Sequence, residues 1–177
     1  MKLNAQELRD IDENEAKSRL KALKRRPIYL ILEDVLDTYN IGGLFRLADA
    51  LTLGKIYLCG GTETPPNSRI KKASVGTYKV VPWKYKKTAV AAIAELKKKH
   101  PKIQIIAVEQ DKKAVPYQKI SYRLPLALVV GNETTGISKK TLQKADFVAE
   151  IPMWGINKSL NVIVSAAIVS YFSTSKL

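Results

Sequence analysis

The chain has 177 residues and a mass of 19.7 kDa, the size of one domain with enough length to bury a sizeable core. A composition of 46% hydrophobic and 26% charged residues is that of a globular protein and excludes a disordered or low-complexity one. Thirty Lys and Arg against sixteen Asp and Glu leave a net charge of +14 and a pI near 9.8, which favours an anionic partner, nucleic acid or an anionic membrane face.

One cysteine, Cys59, excludes an internal disulfide framework, and with one histidine, His100, it argues against a Cys/His metal cluster or a Ser-His-Asp triad. No metal is therefore expected. His100, after Lys97, Lys98 and Lys99 and before Pro101, reads as an exposed helix end. No stretch approaches the ~18 unbroken apolar residues of a membrane span. The start MKLNAQELRD has no signal-peptide core, so a cytoplasmic protein is expected.

In chain order, residues 1–26 form a basic helical arm. Asn4 and Glu7 have the spacing of a capping box, and Leu8, Ile11, Leu20 and Leu23 give a thin apolar stripe. With little to bury, the arm reads as a solvated face or as a contact for RNA or a partner. From Pro27 onward short apolar runs alternate with helical patterns. Ile28 to Leu32 is a strand, Gly43 to Leu53 a helix, and Ile56 to Leu58 a strand followed by a loop through Gly60, Gly61, Pro65 and Pro66. A short strand near Val80 precedes a helix from Thr88 to Lys99 that buries Val90, Ile93, Ala94 and Leu96. Ile103 to Val108 and Leu126 to Val130 are strands, Ser138 to Ala145 a short helix, Phe147 to Ile151 a strand, and Ser159 to Phe172 the last helix, with Ser159 its N-cap. Apolar strands between helices predict an α/β fold, a mostly parallel sheet flanked by helices over residues 27–177.

Ligands of open α/β sheets bind beyond the carboxyl ends of the strands. Three loops there are rich in polar residues and glycine. After the first strand comes Asp34 to Arg46, in which Asn40, Gly42 and Gly43 suggest a flexible turn with free N–H groups at a helix start. After the strand ending at Val130 comes Gly131-Asn132-Glu133-Thr134-Thr135-Gly136-Ile137-Ser138. Its spacing approaches a phosphate-binding P-loop, but Ile137 stands where that motif needs Lys, which disfavours a nucleoside triphosphatase. No G-x-G-x-x-G follows a strand, so a standard dinucleotide fold has no anchor. The third loop, Ile151-Pro152-Met153-Trp154-Gly155-Ile156-Asn157-Lys158-Ser159-Leu160-Asn161, runs into the last helix.

Together these loops resemble the three motifs of the SpoU family of the SPOUT superfamily, the S-adenosylmethionine-dependent RNA 2′-O-ribose methyltransferases. The first motif, Asn-x-Gly-x-x-x-Arg-x-Ala, is matched by Asn40, Gly42, Arg46 and Ala48. The second, Gly-x-Glu-x-x-Gly, is matched by Gly131, Glu133 and Gly136. The third is matched by Ile151, Pro152, Met153, Gly155, Ser159, Leu160, Asn161 and Val162. Lys72 to Gly76 and Val81-Pro82-Trp83 also resemble the family's middle segment. Asp37-Thr38-Tyr39 stands where the family often has a proline, and Ile163 replaces a small or polar residue; both departures bear on substrate fit.

The resemblance implies an α/β-knot with a C-terminal trefoil, and a homodimer whose site lies at the subunit interface. It implies S-adenosylmethionine held by Ala107, Val108, Glu109, Val130, Gly131, Ile151, Met153, Ser159 and Leu160, mainly through backbone. It assigns Arg46 to activation of the ribose hydroxyl. Because a guanidinium is a permanent cation, anchoring the adjacent phosphate and polarising the hydroxyl carry more weight than proton removal. Asn40, Glu133, Ser159 and Asn161 would orient the nucleotide and the loops. The substrate expected is tRNA or rRNA. Without the added N-terminal domain of larger members, RNA would be held by Arg25 and Arg26 beside Lys24, by Arg69, Lys71 and Lys72, and by Lys84, Lys86 and Lys87 interleaved with Trp83 and Tyr85. The alternative is an inactive RNA-binding protein that kept the fold, against which the intact Arg46, Ser159 and Asn161 argue. A base methyltransferase from another SPOUT branch is disfavoured, since those branches lack this first motif.

Overall fold

The computed structural model describes residues 2–177. Its strands are β1 (Arg26–Glu33), β2 (Leu53–Cys59), β3 (Trp83–Lys86), β4 (Gln104–Val108), β5 (Val115–Pro116), β6 (Leu126–Val130) and β7 (Phe147–Glu150). Its helices are α1 (Ala5–Asp10), α2 (Glu13–Ala22), α3 (Thr38–Ala50), α4 (Ser68–Ser74), α5 (Ala89–Lys99), α6 (Lys139–Leu142) and α7 (Val162–Ser175). The seven strands form one sheet in the order β3-β2-β1-β6-β4-β7-β5, and every pairing is parallel.

The apolar runs explain that order. β1, β6 and β4 carry almost unbroken Ile, Leu and Val, buried on both faces, and they occupy the centre. Side-chain alternation divides each strand between two cores. Leu30, Leu32 and Leu128 pack with Phe45 of α3 and Val169 of α7, whereas Tyr29, Ile31 and Val129 pack with Ile93 and Leu96 of α5. The chain builds outward from β1 to β3 and later returns to insert β6 between β1 and β4. Leu32 pairs with Val130, so the loops leaving β1 and β6 start side by side at this switch point.

Several expected elements take a different form. The arm is two helices, broken at Ile11 and Asp12, because Asp12 caps α2 by accepting from Asn14 N and Glu15 N. The Asn4–Glu7 capping box forms as expected. The arm is also docked rather than solvated. Ile11 and Ala16 are buried against Val80, and Lys79 Nζ donates to the carbonyls of Arg9 at 2.8 Å and Ile11 at 2.9 Å. The residues around Val80 follow a 3-10 turn, and the strand itself starts at Trp83.

Helix α5 buries Ala89 and Ala92 with Ile93 and Leu96, while Ala94 faces solvent and Val90 is half-buried. His100 does end α5 but is half-buried, its Nε2 2.6 Å from the Tyr29 hydroxyl. Helix α7 starts at Val162, and its N-cap is Asn161, not Ser159: Asn161 Oδ1 accepts from Ile163 N at 2.8 Å. Helix α4, with Ile70 and Ser74 as its buried residues, and the two-residue β5 had no sequence counterpart. Among the described residues no helix is long and apolar enough to cross a membrane.

Candidate active site

The first-motif segment is helix, not a flexible turn. Asp37 caps α3 by accepting from Tyr39 N at 2.8 Å, so Asn40, Gly42 and Gly43 lie in its first turns. Gly42 is the point of closest approach to α4, where a Cβ would meet Ala73 Cβ at 2.5 Å. Capping and packing together draw Asn40 into the protein, where it is buried beneath the loops that follow β6 and β7.

Asn40 joins all three loops. Its Nδ2 donates to Glu133 Oε1 at 2.9 Å, and its Oδ1 accepts from Asn161 Nδ2 at 3.0 Å. Asn161 at the same time caps α7, and Glu133 also accepts from the backbone N–H of Leu36 at 3.2 Å and of Asp37 at 3.3 Å. Burial pushes the Glu133 carboxyl upward, but donors from Asn40 and from the backbone of Glu133, Leu36 and Asp37 outweigh it and hold the group below its usual range. A carboxylate kept ionised and already accepting several hydrogen bonds is suited to fixing loops rather than to taking up a proton.

Beside this chain of hydrogen bonds lies a cavity of about 400 Å³. Of the residues expected around a cofactor, Val108, Glu109, Val130, Gly131, Ile151, Met153, Ser159 and Leu160 line it. Ala107 does not; it is fully buried one residue back in β4, in the α5-side core. Glu133 and Asn161 also line the cavity. Gly131 turns tightly over its floor, and a Cβ there would come within 2.4 Å of the Gly136 carbonyl carbon. The charged residues in the lining are Glu109, Glu133 and Lys158, so the cavity has no cluster of cations for a polyphosphate.

Arg46 sits apart. It is exposed on α3, outside the cavity lining, and its guanidinium has no hydrogen bond or ion pair among the described residues. Ser159 is exposed, and its N–H donates to Asn157 Oδ1 at 3.2 Å. Of the cations expected to face RNA, Arg26, Arg69, Lys71 and Lys72 are exposed. Arg25 is not free. Its guanidinium donates to the carbonyls of Leu53 and Val80, and burial lowers its pKa against the opposing pull of Asp49. Lys84 and Lys86 both bind Glu95 Oε2, at 2.7 and 2.5 Å, on the face of β3 opposite Trp83 and Tyr85.

Further residues support the loops, and two of them, Asn132 and Glu33, are not among the residues expected from the sequence. Asn132 donates from Nδ2 to the Asp34 carbonyl at 2.8 Å and accepts from Thr134 N and Thr135 N, which shapes the second loop. Glu33, buried at the end of β1, accepts from Ser138 N, Ser138 Oγ and Thr141 Oγ1 and so anchors that loop's far end. An acid closing an apolar strand was the one available hint. Glu109 Oε2 accepts from Ile137 N at 2.9 Å, which gives it a bracing role beside its place in the lining.

Comparison with known proteins places this geometry. The SpoU rRNA Methylase family profile matches residues 27–171. The chain is 32% identical over 142 residues to the 23S rRNA (guanosine(2553)-2′-O)-methyltransferase RlmP of Bacillus subtilis (strain 168), covering 80% of this chain and 56% of that protein. It is 32% identical over 152 residues to the tRNA (guanosine(18)-2′-O)-methyltransferase of Escherichia coli (strain K12), covering 84% of this chain and 63% of that one. The chain thus spans roughly three-fifths of the length of these relatives. The AdoMet-bound rRNA methyltransferase from Sinorhizobium meliloti superposes with a TM-score of 0.78 at 26% identity, over 96% of this chain and 60% of that one. The all-parallel sheet, the motif residues joined at its switch point and the family match over most of the chain agree: this protein belongs to the SpoU methylase family.

Proposed function

We propose that the protein transfers a methyl group from S-adenosylmethionine to a ribose 2′-hydroxyl of tRNA or rRNA. The observation that carries this reading is the Glu133–Asn40–Asn161 chain of hydrogen bonds at the edge of the cavity, which links one residue of each motif. The cavity also suits the methyl donor. Its size falls in the usual range for small-molecule sites, about 300–1,000 Å³, and its two carboxylates against one lysine favour a cationic nucleoside over a polyphosphate. When bound, S-adenosylmethionine would supply a methyl on a positively charged sulfur; the ribose 2′-oxygen would take the methyl in line, the neutral thioether would leave with the S–C bonding pair, and the hydroxyl proton would pass to solvent.

This chain's residues then do the positioning, from which much of such a rate derives. The backbone around Val108, Val130, Gly131, Ile151, Met153 and Leu160 holds the donor, with Ser159 at the rim. Asn40, Glu133 and Asn161 keep the three loops in one arrangement. Arg46 anchors the phosphate beside the target ribose and polarises its hydroxyl. Because Arg46 stands outside the cavity of its own chain, a second copy supplies it, and the working unit is a homodimer. Val164 and Tyr171, exposed and seven residues apart on α7, and the exposed Leu160 just before that helix support that assembly. A cytoplasmic location is part of this reading.

The test uses RNA from cells lacking the gene, incubated with the protein and methyl-labelled S-adenosylmethionine. A 2′-O-methyl mark at a defined tRNA or rRNA position is expected. Absence of transfer, with no calorimetric binding of S-adenosylmethionine at millimolar concentration, overturns the reading.

A further inference from the structure

A second cavity opens on the same carboxyl edge of the sheet, between the loop after β2 and strand β3. Gly61, Thr62, Glu63, Thr64, Trp83 and Tyr85 line it. Its two rings sit on one face of β3: Trp83 packs partly into the core, and Tyr85 remains 47% exposed with its hydroxyl donating to the Gly60 carbonyl at 3.1 Å. That bond leaves the ring held and its surface open. Anchored aromatic rings of this kind are stacking platforms for unpaired bases.

Residues 34–36 are hydrogen-bonded to residues that line each cavity. On one side Asp34 Oδ1 accepts from Gly61 N at 2.7 Å, and Thr62 Oγ1, buried, accepts from Val35 N at 3.0 Å. On the other side the Asp34 carbonyl accepts from Asn132 Nδ2 at 2.8 Å, and Leu36 N donates to Glu133 Oε2 at 3.2 Å. One short segment therefore braces residues of both cavities.

Charge decides which part of a nucleotide enters. Glu63 at the rim disfavours a phosphate inside. Lys87, directly after β3, and Arg69, Lys71 and Lys72 on α4, which follows the loop that lines the cavity, are exposed and have no side-chain partner among the described residues. These cations suit a sugar–phosphate backbone running outside the cavity.

We propose that the Trp83–Tyr85 cavity is a second nucleotide subsite, which takes an unpaired base flanking the methylated nucleotide by stacking on Tyr85 and Trp83. The assignment rests on the methyl-transfer reading for its substrate, RNA. Replacing Trp154 by Phe leaves Trp83 as the sole tryptophan and thus the reporter. In that background a single-stranded hexa-adenylate is expected to quench Trp83 saturably, and an abasic oligomer with the same number of phosphates is not. Tyr85→Ala is expected to weaken hexa-adenylate binding about tenfold with no change in its salt slope, because a stack is lost and not a phosphate contact. Tyr85→Phe, which keeps the ring, is expected to stay within about twofold. Equal quenching by the abasic oligomer, or unchanged affinity in Tyr85→Ala, overturns the subsite. Calorimetry of the unsubstituted protein with S-adenosylmethionine decides the methyl-transfer reading independently, so the two can fail separately.

Discussion

Two sets of cations differ in their surroundings. Arg25, Lys79, Lys84 and Lys86 hold the protein's own groups: Arg25 and Lys79 donate to backbone carbonyls, and both lysines of β3 bind Glu95, which also accepts from the Tyr57 hydroxyl at 3.0 Å. Arg46, Arg69, Lys71, Lys72 and Lys87 are exposed and have no side-chain partner among the described residues. The two sets look alike in the linear sequence. A net charge of +14 is therefore partly architecture.

The largest expected difference between the sets comes from Arg46. Arg46→Ala should reduce methyl transfer at least about 100-fold, in line with the loss of one preorganised electrostatic contact to a transition state. Its urea midpoint should stay that of the unsubstituted protein, since nothing in the chain leans on this guanidinium. Transfer within a few-fold of normal would move Arg46 out of the reaction and weaken the case for a composite dimer site.

A smaller effect separates α4 from the docked arm. Removing Arg69 or Lys72 should weaken RNA binding and reduce the slope of log affinity against log salt by about one each. Lys79→Ala should leave that slope alone. It should instead lower the melting temperature, because two carbonyls of the arm lose a charged donor, a change of roughly 1–3 kcal/mol. A reduced slope in Lys79→Ala would dissolve the distinction between the sets.

The smallest effect is the acid limb of Glu95. Hydrogen bonds from Lys84 and Lys86, joined by Tyr57, hold its carboxyl at about 2 against partial burial. A folded pKa below the unfolded value stabilises the protein above the unfolded pKa, and that contribution is lost as pH falls toward 2. Glu95→Gln should therefore be less stable than the parent at pH 7, by less than about 1 kcal/mol for so solvent-accessible a group. The gap in urea midpoints should close between about pH 4.5 and 2. A gap that persists at pH 2 would assign the effect to packing and not to charge.

Legibility followed the range of the interaction. β1, β4 and β6 could be placed from their apolar runs because strands buried on both faces need no partner to be recognised. The Asn4–Glu7 box is local and formed as read. The start of α3 was misplaced because Asn40-Ile41-Gly42-Gly43 has turn-like composition. Its helical state depends on the Asp37 cap and on α4 lying against Gly42, and α4 itself is short, with a single buried aliphatic side chain in Ile70. Likewise Ser159, the N-cap expected from the sequence, and Asn161 are of equally suitable type. Asn161 takes the role while its Nδ2 bonds Asn40, a contact 121 residues distant in sequence.

The sequence by itself determined a basic α/β protein, the cysteine and histidine counts that disfavour other chemistries, and three motifs in family order. Those properties reside in composition, local periodicity and spacing. Only the tertiary structure decided that Glu133, Asn40 and Asn161 form one hydrogen-bonded chain, that Ala107 lies outside the cavity lining, and which cations bond the protein's own groups. Pleating sends Trp83 and Tyr85 to one face of β3 and Lys84 and Lys86 to the other, and Glu95 happens to await the lysines. Hydrogen bonds and ion pairs are short-range and directional, so which ones form depends on where the chain has folded, which no list of residues contains.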